Sequence, residues 1–119
     1  MDQNSFLHGI RVSIKMIVEG LEFMISSFGD KLTEALYHAT ENKGLRRLPP
    51  DVTKRALNKL DMINGAHDVL DLRSPPGNRL ELLHGDLAGL FSIRINDQWR
   101  IVFRWHDGNA YEVRLTDYH

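Results

Sequence analysis

The stretch Phe91-Ser92-Ile93-Arg94-Ile95-Asn96-Asp97-Gln98-Trp99-Arg100-Ile101-Val102-Phe103-Arg104-Trp105 decides the fold. Apolar residues fall at every second position on both sides of Asn96-Asp97-Gln98, the pattern of strands with one buried face. Cross-strand partners share a face, so the loop length sets the register. A three-residue loop puts Ile95 against Trp99, Ile93 against Ile101 and Phe91 against Phe103. A two-residue loop would oppose apolar and polar residues at every step. The alternation resumes after His106-Asp107-Gly108, with Tyr111, Val113 and Leu115 between Glu112, Arg114 and Thr116. Read as a second three-residue turn with a left-handed Gly108, it sets Trp105 against Asn109, Phe103 against Tyr111 and Ile101 against Val113. Upstream, Leu80 to Leu83 is a short strand closed by Gly85-Asp86 and Gly89. The C-terminal half is therefore a β-meander.

Two helical patterns precede it. From Asp30 to about Asn42, Leu32, Ala35, Leu36 and Ala39 share a face behind a capping Asp30, and Asn42-Lys43-Gly44 is the stop. From Pro50-Asp51 to Asn64-Gly65, Val52, Ala56, Leu60 and Ile63 form a stripe, with Asp51 as N-cap and Gly65 just past the end. Pro75-Pro76-Gly77-Asn78 is a rigid loop. The expected class is α+β: an N-terminal two-helix hairpin packed on one face of a twisted, mainly antiparallel sheet. Residues 1–23 stand apart. Ile10, Val12, Ile14 and Met16 alternate with Arg11, Ser13 and Lys15, which suits an extra edge strand. The alternative, favoured here, is an upstream extension from an early start codon. The domain then comprises 24–119, with Met24-Ile25-Ser26-Ser27-Phe28 as its first strand-like piece.

The 119 residues suit one domain, and 42% hydrophobic with 26% charged residues fits a globular chain. The absence of cysteine excludes disulfides, thiolate metal sites and thiol nucleophiles. No apolar run is long enough to span a bilayer and the N-terminus lacks signal-peptide order, so no membrane role and a cytoplasmic location are expected. The net charge of -1 predicts no polyanion partner, so such a claim must rest on how charges are arranged.

That arrangement is unusual on the polar face of the meander. The register above sets Arg94 opposite Arg100, and Arg100 opposite Arg114, with Arg104 at the side. Like charges directly opposed on a sheet are destabilising. A solvated face balanced by Glu112 and Glu81 is the plain explanation. An anion site is the functional one, because guanidinium forks match phosphate geometry. Tyr118 has the parity of this face and His119 follows it. Arginines, a tyrosine and a histidine beside a sheet suit cleavage of an RNA phosphodiester. The six histidines show no ligand spacing and lack cysteine partners, so neither a metal nor another cofactor is expected. His38 and His67 occupy ordinary helix positions, and Trp99 and Trp105 have core parity.

Three segments resemble the HigB branch of the RelE/ParE-type toxins: Asp71-Leu72-Arg73-Ser74-Pro75-Pro76-Gly77-Asn78-Arg79-Leu80-Glu81, Ser92 to Ile101, and the terminal Asp117-Tyr118-His119. The resemblance implies a toxin of a type II toxin–antitoxin pair that enters the ribosomal A site and cuts translated mRNA without a metal. It implies a helix-turn-helix, HigA-like antitoxin as partner, with DNA reached only indirectly through that antitoxin. Carried over by position, Asp117, Tyr118 and His119 form the catalytic cluster, and Arg100 stabilises the phosphorane-like charge. Some relatives have a histidine on the strand before Gly85-Asp86, where this chain has Glu81. The general base is open between Glu81, His119 and His84. Arg79, Arg94, Arg104 and Arg114 are the expected RNA-binding residues. Arg73 suits RNA or an anchor of its loop to Asp68 or Asp71 equally, while Lys43, Arg46 and Arg47 face solvent or ribosomal RNA. A gyrase-poisoning toxin on the same fold, and an inactive antitoxin-binding module in autoregulation, are the rival functions.

Overall fold

The computed structural model describes residues 25–118. The strand reading of residues 10–16, the extension 1–23 and the position of His119 lie outside the described residues. Helix α1 spans Lys31–His38, where Asp30 caps as expected by accepting the Thr33 N–H at 2.8 Å. It ends earlier than the stop signal suggests, because Ala39 turns left-handed (φ 57°), and a short 3-10 turn, Lys43–Arg47, follows. Helix α2 spans Pro50–Gly65. Pro49, rather than Asp51, holds its N-cap position, and Asp51 sits in the first turn where its charge favours the helix dipole. Gly65 is still helical, with Ala66 as the cap.

The sheet is an antiparallel meander in the order β1 (Glu81–Leu82), β2 (Phe91–Arg94), β3 (Trp99–His106), β4 (Asn109–Asp117). Phe91 pairs with Phe103, Ile93 with Ile101 and Arg94 with Arg100, as the first loop requires. The second hairpin departs from expectation. Its turn has two residues, Asp107 and Gly108, both at positive φ, and His106 pairs with Asn109. Such a turn suits the twist of a hairpin, but it slips β4 by one residue against the expected pairing. Tyr111 thus faces Arg104, not Phe103. A bulge corrects the slip between Val102 and Arg104, where Glu112 takes a left-handed φ of 53°. Beyond it Ile101 pairs with Leu115, and Arg100 with Thr116 instead of Arg114.

The bulge is held from outside the meander. Ile25 and Phe28 form parallel bridges to Ala110 and Val113. The Ser27 hydroxyl accepts the Glu112 N–H at 2.9 Å, the Ser27 carbonyl accepts the Val113 N–H at 3.1 Å, and Gly29 N–H bonds to Val113 O at 2.8 Å.

The inner face carries Ile93, Ile101, Phe103, Val113 and Leu115 against Tyr37 of α1 and Val52, Ala56, Leu60 and Ile63 of α2. Trp99 and Trp105 pack on this core, as their parity predicts. Leu83, Leu90 and Val102 make a smaller cluster, covered by Leu87, on the other face. Buried polar tethers fix the helices: Thr33 Oγ1 accepts the Leu115 N–H at 2.8 Å, and Asn64 Oδ1 accepts the Ile25 N–H at 3.0 Å.

A Cβ on Gly29 would lie 2.7 Å from the Glu112 carbonyl oxygen, a backbone collision. Gly29→Ala is expected to cost about 1–3 kcal/mol as the bulge contact is forced apart. Thermal unfolding would register this as a fall of roughly 4–8 °C per kcal/mol. A chain begun at Met24 keeps every contact named above, and its melting temperature set against the parent's tests whether residues 1–23 belong to the domain.

Candidate active site

Glu81, Ser92 and Arg100 converge because three strands place them on the same outer face. Glu81 of β1 pairs with Ser92 of β2, and Arg100 lies on β3 two residues before the Val102 that faces Ser92. Arg100 Nη1 stands 2.9 Å from Glu81 Oε1 and donates to Ser92 Oγ at 3.0 Å. Ser92 is wholly buried, so this hydrogen bond is shielded from competing water. The Arg100 side chain is only 15% exposed, against 50% for Glu81. Tyr118 closes the other side, with its ring centroid 5.0 Å from the Arg100 guanidinium carbon, within cation–π range. The Tyr118 N–H bonds to the Gln98 carbonyl at 2.6 Å, which extends the ladder beyond β4 and holds the ring there.

Protein partners thus engage Nη1 and the guanidinium face, while Nε and Nη2 have none among the described residues. Those two nitrogens are a side-on fork, the geometry that binds two oxygens of one phosphate. The Glu81 carboxylate is the neighbouring acid, half-exposed, a group whose chemistry is to accept protons. The constellation can hold a phosphate and accept a proton next to it.

The remaining sequence candidates are distributed as follows. Asp117 pairs with Trp99, so by alternation it shares the Trp99 face rather than that of Arg100, and it accepts a hydrogen bond from Gln98 Nε2 at 3.2 Å. His84 is exposed at the strand exit, flanking the one-turn helix Gly85–Leu87. Arg94 opposes Arg100 but is ion-paired with Asp97, and Arg104 with Glu112. Arg114 faces Val102, which corrects the expected Arg100–Arg114 opposition. Arg79 is exposed and left-handed (φ 45°) at the end of the Pro76–Asn78 turn. Asp68 and Asp71 form a capping box for the turn Val69–Arg73. Sequence reasoning misses Ser92 and Thr116. Both are legible by parity once the register is known, since Ser92 alternates with Phe91 and Ile93, and Thr116 with Leu115. Thr116, opposite Arg100, keeps a buried hydroxyl without a hydrogen-bond partner among the described residues.

A helical hairpin on a four-stranded antiparallel meander is the fold the motif resemblance implies, that of a RelE-like toxin domain. The sequence model of the family described as "RelE-like toxin of type II toxin-antitoxin system HigB" matches residues 26–119. The chain belongs to this family of HigB-like toxins, and its partner is an antitoxin. It is 40% identical over 92 residues to Toxin HigB-1 of Vibrio cholerae, covering 77% of this chain and 95% of that protein. It is 31% identical over 96 residues to Endoribonuclease HigB of Proteus vulgaris, covering 81% of this chain and all of that protein.

The acid partners change the expectation for the arginine row. Like-charge opposition between Arg94 and Arg100 is offset by Asp97 and Glu81, and both acids are at least half exposed. Arg94→Gln and Arg104→Gln are expected to alter unfolding free energy by no more than about 1 kcal/mol, measured by denaturant titration. A larger loss in both variants would make those pairs structural.

Proposed function

We propose that the protein is an endoribonuclease toxin that cuts translated mRNA at the ribosomal A site. The observation that carries this is the Arg100 guanidinium, fixed by buried Ser92 and by Tyr118, with two open donors beside the Glu81 carboxylate. The name of the Proteus vulgaris relative supports the activity. The antitoxin is of the helix-turn-helix kind, and the pair works in the cytoplasm, touching DNA only through the antitoxin. No helix among the described residues is long and apolar enough to cross a membrane.

The ribose 2′-oxygen attacks the adjacent phosphorus while Glu81 takes the hydroxyl proton. Arg100 meets the charge that develops on the phosphoryl oxygens, through the donors not used by Glu81 and Ser92. The 5′-oxygen leaves, protonated by His119, which follows Tyr118 in the chain. The products are a 2′,3′-cyclic phosphate and a 5′-hydroxyl, so no water is consumed in this step. Arg79, Arg94, Arg104 and Arg114 line the approach of the RNA. Asp117, on the other face of its strand, serves by orienting the last residues. The ribosome supplies the positioning of the message, which suits a chain of net charge -1.

Primer extension on a translated message after induction is the test. Arg100→Ala is expected to lower cleavage by roughly 10²–10³-fold, and Glu81→Gln by roughly 10²–10⁴-fold with loss of the acidic limb of the pH–rate profile. His119→Gln is expected to stop cutting while folding and antitoxin co-purification survive. Undiminished cut sites in Arg100→Ala would refute the site. Toxicity without cut sites in the parent protein would indicate gyrase poisoning, and neither toxicity nor cutting would indicate an inactive antitoxin-binding module.

A further inference from the structure

A cleft of about 330 Å³ lies at the edge of β2, where α2, the Pro76–Asn78 turn and the end of the strand meet. It is lined by Arg55, Asn58, Lys59 and Met62 of α2, Gly77 of the turn, and Arg94 with Ile95. Three of these side chains are cations and none is an acid. Asp97 pairs with Arg94 from a side chain 99% exposed. Lys59 is held in place: its amine donates to Asn78 Oδ1 at 2.5 Å, and Asn78 is itself fully buried. The Asn78 amide donates in turn to the Leu72 and Ser74 carbonyls at 3.1 and 3.3 Å. Burial, and then the nearby charge of Arg55, lowers the Lys59 pKa from its ordinary value, a conflict that an incoming anion would relieve. Arg94 belongs to both places, since it stands directly across the sheet from Arg100 and also lines the cleft.

We infer that this cleft is a second phosphate site, in which Arg55, Lys59 and Arg94 grip the backbone of the RNA strand whose scissile phosphate lies at Arg100. This rests on the reading of the protein as an RNA-cutting toxin and extends it. Arg94 is the bridge: a strand crossing from Arg100 passes Arg94, displaces the solvent-exposed Asp97, and reaches Lys59 and Arg55. The contacts are to phosphate, so they are blind to base sequence. The strand that crosses is the message flanking the cut, and a ribosomal RNA phosphate, which offers the same chemistry, is the other source that the experiment separates.

The probe is a fluorescent 2′-O-methyl hexanucleotide, which has no 2′-hydroxyl and stays intact, titrated at low salt by anisotropy. Its binding is followed as a function of salt for the parent protein, Arg100→Ala, and the Arg55→Gln, Lys59→Gln double variant. Removing one cation that neutralises a single-strand phosphate flattens the slope of log K against log salt by about 0.7. The double variant, which removes two, is expected to flatten the slope by about 1.4 equally on oligonucleotides of different sequence, with its melting temperature retained. Arg100→Ala is expected to keep the part of the slope due to Arg55 and Lys59. A double variant with parental affinity and slope overturns the second site, as does a parent protein that leaves the probe unbound. Cleavage by the parent, measured separately on translating ribosomes, tests the nuclease reading, so the two failures are distinct. If the double variant loses hexanucleotide binding and also shifts cut positions, the gripped phosphate is in the message. If it loses ribosome association with cut positions unchanged, the phosphate is ribosomal.

Discussion

The left-handed Glu112, held by Ser27, is the constraint on which the rest of the sheet depends. A two-residue turn at Asp107-Gly108 would by itself place Val113 and Leu115 outward and turn Tyr118 toward the core. The bulge takes up one residue and reverses both outcomes. Val113 and Leu115 return to the core, while Thr116 and Tyr118 come to the Arg100 side. A non-glycine residue in this conformation costs on the order of 1–2 kcal/mol. The hydrogen bonds from Glu112 and Val113 to Ser27 offset that cost, at about 1 kcal/mol each. The segment 25–29 is thus part of the site's construction although it contributes no side chain to it.

Three buried polar residues do comparable work between layers. Thr33 bonds the backbone of β4, Asn64 bonds that of Ile25, and Asn78 bonds two carbonyls of its own loop as well as Lys59. Each satisfies a backbone group that would otherwise be buried without a partner, an omission costing about 1–3 kcal/mol. They also fix helix position along the sheet, which apolar packing alone leaves freer. The open end of the outer face, clear of the Leu83–Leu90–Val102 cluster, is where Arg100 emerges.

Much of this is legible in the sequence. The alternation from Phe91 to Trp105 carries the register of β2 on β3, and with it the Arg94–Arg100 opposition. The position of Glu81 on the arginine side is legible for the same reason. The β4 register is misread because Asp-Gly is itself a two-residue turn signal, and the alternation of Tyr111, Val113 and Leu115 hides a slip that a bulge later cancels. The residue that stabilises this bulge lies 85 positions away, beyond the reach of local patterns. The acid partners of Arg94 and Arg104 are local, and Glu112 is identified by its parity, whereas Asp97 reads only as a loop residue.

The ion pairs of the outer face are not equivalent, and their difference explains how a sheet tolerates opposed arginines and bears on the phosphate-binding role proposed for Arg100. Asp97 and Glu112 are exposed, at 99% and 53%, so their pairs with Arg94 and Arg104 contribute little and separate readily. They neutralise the row when no anion is present, and a phosphate can replace them with a stronger, charge-assisted contact. Arg100 differs because its orientation does not rest on its acid partner alone. If Glu81 releases Nη1 to take a proton, as the proposed mechanism requires, Ser92 still holds that nitrogen and Tyr118 still covers the guanidinium face. The donor fork therefore stays aimed while the carboxylate moves, which is the preorganisation that charge stabilisation requires.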